Sequence, residues 1–123
     1  MEELYIRIAA YQKAMGYDFK NMTMEKRMQS FRNYMVALQI EQVELAQELP
    51  IKPWRLYKDQ PHSSNAVLAD EWVDCLFFLF DQALVLQLSQ EELRKAFECK
   101  MDKNNSRIKS GYNVMNDKQE KTL

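Results

Sequence analysis

Glycine and proline are scarce in this 123-residue chain. It has two glycines and three prolines, about a third of the usual share of those two residue types. Tight turns with positive φ call for glycine, or less often asparagine. A sandwich, a barrel or a doubly wound sheet needs many such turns, and this chain cannot supply them. The same shortage excludes glycine-rich phosphate loops, since neither GxGxxG nor GxxxxGK[ST] occurs. Any phosphate must be met by side chains and ions.

Other absences narrow the function further. The single histidine, His62, lies in a polar stretch and reads as solvent-exposed. No Ser/His/Asp or Cys/His set supports nucleophilic catalysis. The two cysteines, Cys75 and Cys99, show neither CxxC spacing nor a disulfide framework. Reduced thiols in a cytoplasmic protein are the simplest reading. Neither sign of charge dominates: 17 basic and 18 acidic residues leave a net charge of −1. That argues against a dedicated binder of nucleic acid polymers or of anionic membranes. The most apolar stretch, Cys75 to Leu88, is interrupted by Asp81 and Gln82. It is too short and too charged for a spanning helix of about 20 residues. The opening MEELYIRIAAYQ has no basic region ahead of a long apolar run, so it does not read as a signal peptide.

What is present is helical periodicity. An all-α domain is expected over residues 1–112, followed by a polar tail, 113–123. The first helix is expected from Glu2 to Met15, with Leu4, Ile8, Tyr11 and Met15 at helical spacing and Gly16 as its stop. Thr23 caps a long second helix, Met24 to Leu49, which Pro50 ends. Its apolar stripe is Phe31, Met35, Leu38 and Leu45. The link from Pro50 to Ser63 holds all three prolines and is aromatic and basic, with Lys52, Trp54, Arg55, Tyr57 and Lys58. A link of that length within one domain is usually functional. Ser63 or Ser64 caps a third helix reaching Leu88. Ser89 and Glu92 form a capping box opening a fourth, which runs to Ile108. The eight methionines read mainly as core filling.

The acids are distributed in a pattern. Glu41, Glu44 and Glu48 fall within an arc of about 60° on the second helix, bordering its apolar stripe. Glu71 and Asp74 repeat the device on the third helix, with Asp81 one heptad further on; Glu48 and Asp81 read as rim residues. The third helix is apolar in nearly every direction, from Trp72 and Val73 through Phe77, Phe78 and Phe80 to Leu86, and so is expected to be buried all round. Glu71 and Asp74 then cannot turn to water, and unpaired buried carboxylates are costly or take up protons. A hard divalent cation removes the difficulty, and oxygen ligands suit Mg²⁺ or Mn²⁺. Near the end of the fourth helix, Lys100, Asn104 and Arg107 share the bearing of Leu93 and Phe97. They either complement the helix dipole or meet phosphates. Trp54 is placed either to stack on a base or to anchor its loop. Tyr11, Gln12 and Met15 are weaker candidates for a base pocket.

The run Glu41-Gln42-Val43-Glu44-Leu45-Ala46-Gln47-Glu48, the later Glu71-Trp72-Val73-Asp74, and the ending from Lys100 through Asn104 and Arg107 to Gly111-Tyr112 together resemble the all-α nucleoside triphosphate pyrophosphohydrolases. That superfamily includes MazG proteins, dCTP pyrophosphatases and dimeric dUTPases. The ending and the place of Trp54 look most like the dimeric dUTPase branch. The short connection between the third and fourth helices is nearer to MazG and dCTP pyrophosphatase subunits. The resemblance implies a four-helix MazG-like bundle that completes its core as a homodimer or homotetramer. It implies Mg²⁺ held by Glu41, Glu44, Glu71 and Asp74, with Glu41 or Glu44 as general base. Lys100, Asn104, Arg107 and Tyr112 map onto phosphate contacts, and Trp54, Gln12 and Tyr11 are the candidates for the base. The implied reaction turns a nucleoside triphosphate into a monophosphate and pyrophosphate, with dUTP or dCTP favoured. A dGTP or altered-nucleotide hydrolase is the alternative, and a non-catalytic helical interaction module is a further one.

Overall fold

The capping residues stand where the helices begin. The computed structural model describes residues 2–51 and 63–111. Its α-helices are α1 (Glu2–Ala14), α2 (Met24–Gln47), α3 (Asn65–Val85) and α4 (Gln90–Lys109), with a short 3₁₀ turn at Phe19–Asn21. No strand occurs among the described residues. Thr23 Oγ1 accepts from the Lys26 amide at 3.2 Å, and Ser64 Oγ accepts from that of Val67 at 3.4 Å. The capping box closes in both directions: Ser89 Oγ accepts from Glu92 N at 3.0 Å and Glu92 Oε1 from Ser89 N at 3.2 Å. Gly16 ends α1 with φ of +92°, a conformation that the missing Cβ permits.

The end of α3 is held by side chains instead. Gln87 takes the left-handed conformation, φ +58°. Its amide reaches Leu84 O and that of Leu88 reaches Ala83 O, a Schellman closure without glycine. Two donors then meet the freed carbonyls nearby, and the Gln87 side chain reaches the 3₁₀ turn. Arg27 gives two bonds to Val85 O, at 3.0 and 2.8 Å. Tyr5 Oη donates to Leu88 O at 2.7 Å. Gln87 Nε2 donates to Phe19 O at 3.2 Å. The helix therefore stops at Val85, three residues short of the expected Leu88.

The chain divides into two compact units, Met1–Leu88 and the part from Ser89 onward. In the first, α2 and α3 form an antiparallel hairpin and α1 packs on α3. The hairpin has a heptad register. Arg27 bonds Val85. One heptad along α2, Tyr34 faces Phe78, with ring centroids 6.2 Å apart. Another heptad brings Glu41 to Glu71. A last one brings Glu48 to Ser63, whose hydroxyl donates to Glu48 Oε2. Between these layers sit Phe31, Leu38 and Leu45, so α2 presents the alternating three- and four-residue spacing of a helix seam. The core of this unit is Tyr5, Ile8, Phe19, Cys75, Leu76, Ala83 and Val85.

Four expectations about burial are corrected. On α1 the buried face is Tyr5, Ile8 and Gln12, while Leu4, Tyr11 and Met15 are exposed. The two stripes lie about 100° apart or less, and only the first points at α3. The third helix is not buried all round: Trp72 is 54% and Leu79 50% exposed. Two neighbouring helices cannot cover a helix that is apolar on every side. Met35, placed in the stripe of α2, is also exposed. In the second unit α4 buries no residue, so the expected core face through Phe97 is uncovered.

Candidate metal centre

The acidic layer lies midway between the aromatic layer and the Glu48–Ser63 tie. The heptad that brings Arg27 and Tyr34 to the seam also brings Glu41 there, and Glu71 opposes it from α3. Glu44, one turn on, leans over the same point from an exposed position. One carboxylate oxygen from each of Glu41, Glu44 and Glu71 lies within 4.8 Å of the others. Four of the acids expected from sequence to act together are on these two helices, and the structure brings three to a common point. Asp74 stands close enough for its charge to act on both Glu41 and Glu71.

This arrangement is unfavourable without a counterion. Burial pushes the Glu41 carboxyl above its ordinary value, and contact with Glu44 and the charges of Glu44, Asp74 and Glu71 push it the same way. Glu71 is raised by burial first, then by Asp74, Glu44, Asp70 and Glu48. Glu41 Oε2 and Glu71 Oε2 are buried and have no hydrogen-bond partner. Buried acceptors are nearly always satisfied. Two orphaned carboxylate oxygens beside a third carboxylate therefore fit a hard cation with oxygen ligands. The donor set is all carboxylate, which favours Mg²⁺ or Mn²⁺ over softer ions.

A cleft of about 920 Å³ runs from this layer along α1. Glu41 and Asp74 line one part of it, and Tyr11, Gln12, Tyr34 and Asp81 another. Asp81 is corrected from a rim residue to a buried one, 3% exposed. Its Oδ1 accepts from Gln12 Nε2 at 2.7 Å. Burial raises the Asp81 carboxyl, against the pull of that hydrogen bond. Burial and the Asp81 charge push the Tyr34 hydroxyl up to about 12, so it stays protonated. Sequence reasoning missed this Asp81–Gln12–Tyr34 group. The signal was the heptad step from Asp74 to Asp81, which keeps Asp81 on the face turned toward α1. Glu48 is half-covered and tied to Ser63, outside the converging three.

Of the remaining candidates, Tyr11 is exposed on the cleft wall. Lys100, Asn104 and Arg107 are exposed on α4, in the second unit. Trp54, Tyr112, His62 and the tail lie outside the described residues. No single helix among the described residues is long and apolar enough to cross a membrane.

Residues 6–105 match the model of a protein family described as dUTPase. No curated protein and no solved structure matches the chain.

Proposed function

The chain belongs to the dUTPase family, and from that premise we propose that it is a Mg²⁺-dependent nucleoside triphosphate pyrophosphohydrolase. The reaction takes a (d)NTP and water to a (d)NMP and diphosphate, with deoxynucleotides preferred and dUTP or dCTP favoured. The observation that carries this reading is the acidic layer, with three converging carboxylates and two buried oxygens lacking a partner.

Glu41, Glu44, Glu71 and Asp74 are the residues that would hold the ion. When bound, Mg²⁺ supplies charge neutralisation and polarises water and phosphate oxygens. Glu41 or Glu44 accepts the proton of the attacking water, the general-base role open to a carboxylate beside the ion. Lys100, Asn104, Arg107 and Tyr112 contact the phosphates and offset the charge that develops as diphosphate leaves. Trp54 stacks on the base, and Gln12 and Tyr11 read it from the cleft. The catalytic domain is 1–112. A second copy, in a homodimer or homotetramer, covers the exposed apolar stripes Val36–Ile40–Val43 and Trp72–Leu79–Leu86. The protein acts in the cytoplasm, where the free thiols Cys75 and Cys99 stay reduced.

Diphosphate release from a panel of nucleotides, with and without Mg²⁺, tests the reading. Release from dUTP or dCTP that depends on Mg²⁺ is the expected result. Faster release from dGTP or altered nucleotides would replace it with a broad MazG-type hydrolase. No release from any nucleotide would leave a helical interaction module.

A further inference from the structure

The cleft continues past the acids to a polar group that metal binding leaves unused. Three helices each send one residue to it: Gln12 from α1, Tyr34 from α2 and Asp81 from α3. Gln12 is 8% exposed and Asp81 3%. Gln12 Nε2 donates to Asp81 Oδ1 at 2.7 Å, and Tyr34 lines the same part of the cleft. Neighbouring helix contacts are apolar, as at Tyr5–Phe80. A buried carboxylate held by one neutral amide is a poor way to join two helices.

The two ends of a glutamine amide have nearly the same size, yet one donates and the other accepts. Unrestrained, the amide turns over to suit either kind of base edge. Asp81 Oδ1 accepts from Nε2, and a charged carboxylate can only accept, so it draws Nε2 toward itself and fixes which way the amide faces. Uracil and cytosine differ along one edge: at C4 the first has an accepting carbonyl and the second a donating amine, and at N3 the first donates and the second accepts. A fixed amide separates them, and a turning one does not.

We infer that Asp81 is a positioning residue that locks the Gln12 amide and thereby sets which pyrimidine nucleotide the cleft selects. The inference rests on the reading of Gln12 as a base contact in a pyrophosphohydrolase.

The test is kcat/KM for dUTP and for dCTP, with thermal unfolding in parallel, in the wild type, Asp81→Asn, Gln12→Met and Tyr34→Phe. An asparagine at 81 can donate or accept, so Gln12 is freed to turn over. The ratio of the two kcat/KM values falls by about tenfold or more in Asp81→Asn, through KM of the preferred substrate. Gln12→Met brings the ratio to a similar value, and Tyr34→Phe lowers it less. A purely structural Asp81 would lower the Tm and reduce both kcat/KM values by one factor. An unchanged ratio in Asp81→Asn overturns the inference. So does an unchanged ratio in Gln12→Met, which decides the matter if Asp81→Asn fails to fold. A wild type that handles dUTP and dCTP equally overturns it while leaving the pyrophosphohydrolase reading intact. A wild type that hydrolyses neither removes the dUTP or dCTP preference of the proposed function, and this inference with it.

Discussion

Two layers of one helical hairpin sit a single heptad apart and are filled in opposite ways. Tyr34 and Phe78 meet as tilted rings, 6.2 Å between centroids. Glu41 and Glu71, in the next layer, bring like charges together and leave an oxygen of each unpartnered. The backbone treats the two positions alike, so the hairpin does not require acids in the second. Apolar residues of similar size would hold α2 to α3 better. The aromatic layer serves the fold; the acidic layer opposes it, a cost that the proposed cation site would explain.

That contrast can be broken at either layer. The largest effect is expected from Glu71→Gln or Asp74→Asn. Turnover should drop by more than about 100-fold, because even groups behind a metal's ligands account for 10–100-fold. Diphosphate release under saturating Mg²⁺ measures it, and full activity in either variant would refute the ligand assignment. Next is Phe78→Ala in the aromatic layer. It should lower unfolding stability by about 3 kcal/mol, the lower end for such truncations because the ring is half-covered. Urea denaturation reads this as a shift in midpoint at an unchanged slope.

Arg27→Leu sharpens the comparison at the far end of the seam. It removes two bonds from a cation to Val85 O and should cost about 2 kcal/mol, with Mg²⁺ affinity unchanged in titration calorimetry. The smallest effect concerns pH in chelator-treated protein. Glu41 and Glu71 bind protons more readily folded than unfolded. Their favourable contribution is therefore complete below the ordinary carboxylate range and is lost as pH rises through their raised folded values. Glu71→Gln should match the wild type in Tm below the ordinary carboxylate range and exceed it once pH has risen through the raised folded values. Added Mg²⁺ should raise the wild type and leave the variant nearly where it was. A Tm difference that does not vary with pH would show that the acids do not repel one another.

Much of this was legible in the chain itself. Thr23, Ser64, Ser89 with Glu92, and Gly16 mark helix boundaries through local hydrogen bonds and backbone freedom, which neighbouring residues decide. The spacing of Glu41, Glu44, Glu71 and Asp74 is likewise local, because a helix converts spacing into bearing. Three of those four converge on one point. The shortfall lies where bearing alone is ambiguous. Leu4, Ile8, Tyr11 and Met15 form a regular stripe, yet of these only Ile8 is buried, with Tyr5 and Gln12 beside it. Asp81 looked like a rim residue because its sequence neighbours do not reveal which helix will lie over it.

The sequence by itself determined the four helices of the described residues, their caps, the absence of strands among those residues, the lack of glycine phosphate loops, and two acidic pairs at helical spacing. Each follows from interactions within a few residues along the chain. Only the tertiary structure decided the register of α2 against α3, and with it that Glu41 meets Glu71 while Tyr34 meets Phe78. It alone placed Asp81 against Gln12 at 2.7 Å. Those pairings join residues far apart in the chain, and the packing of whole helix faces selects them.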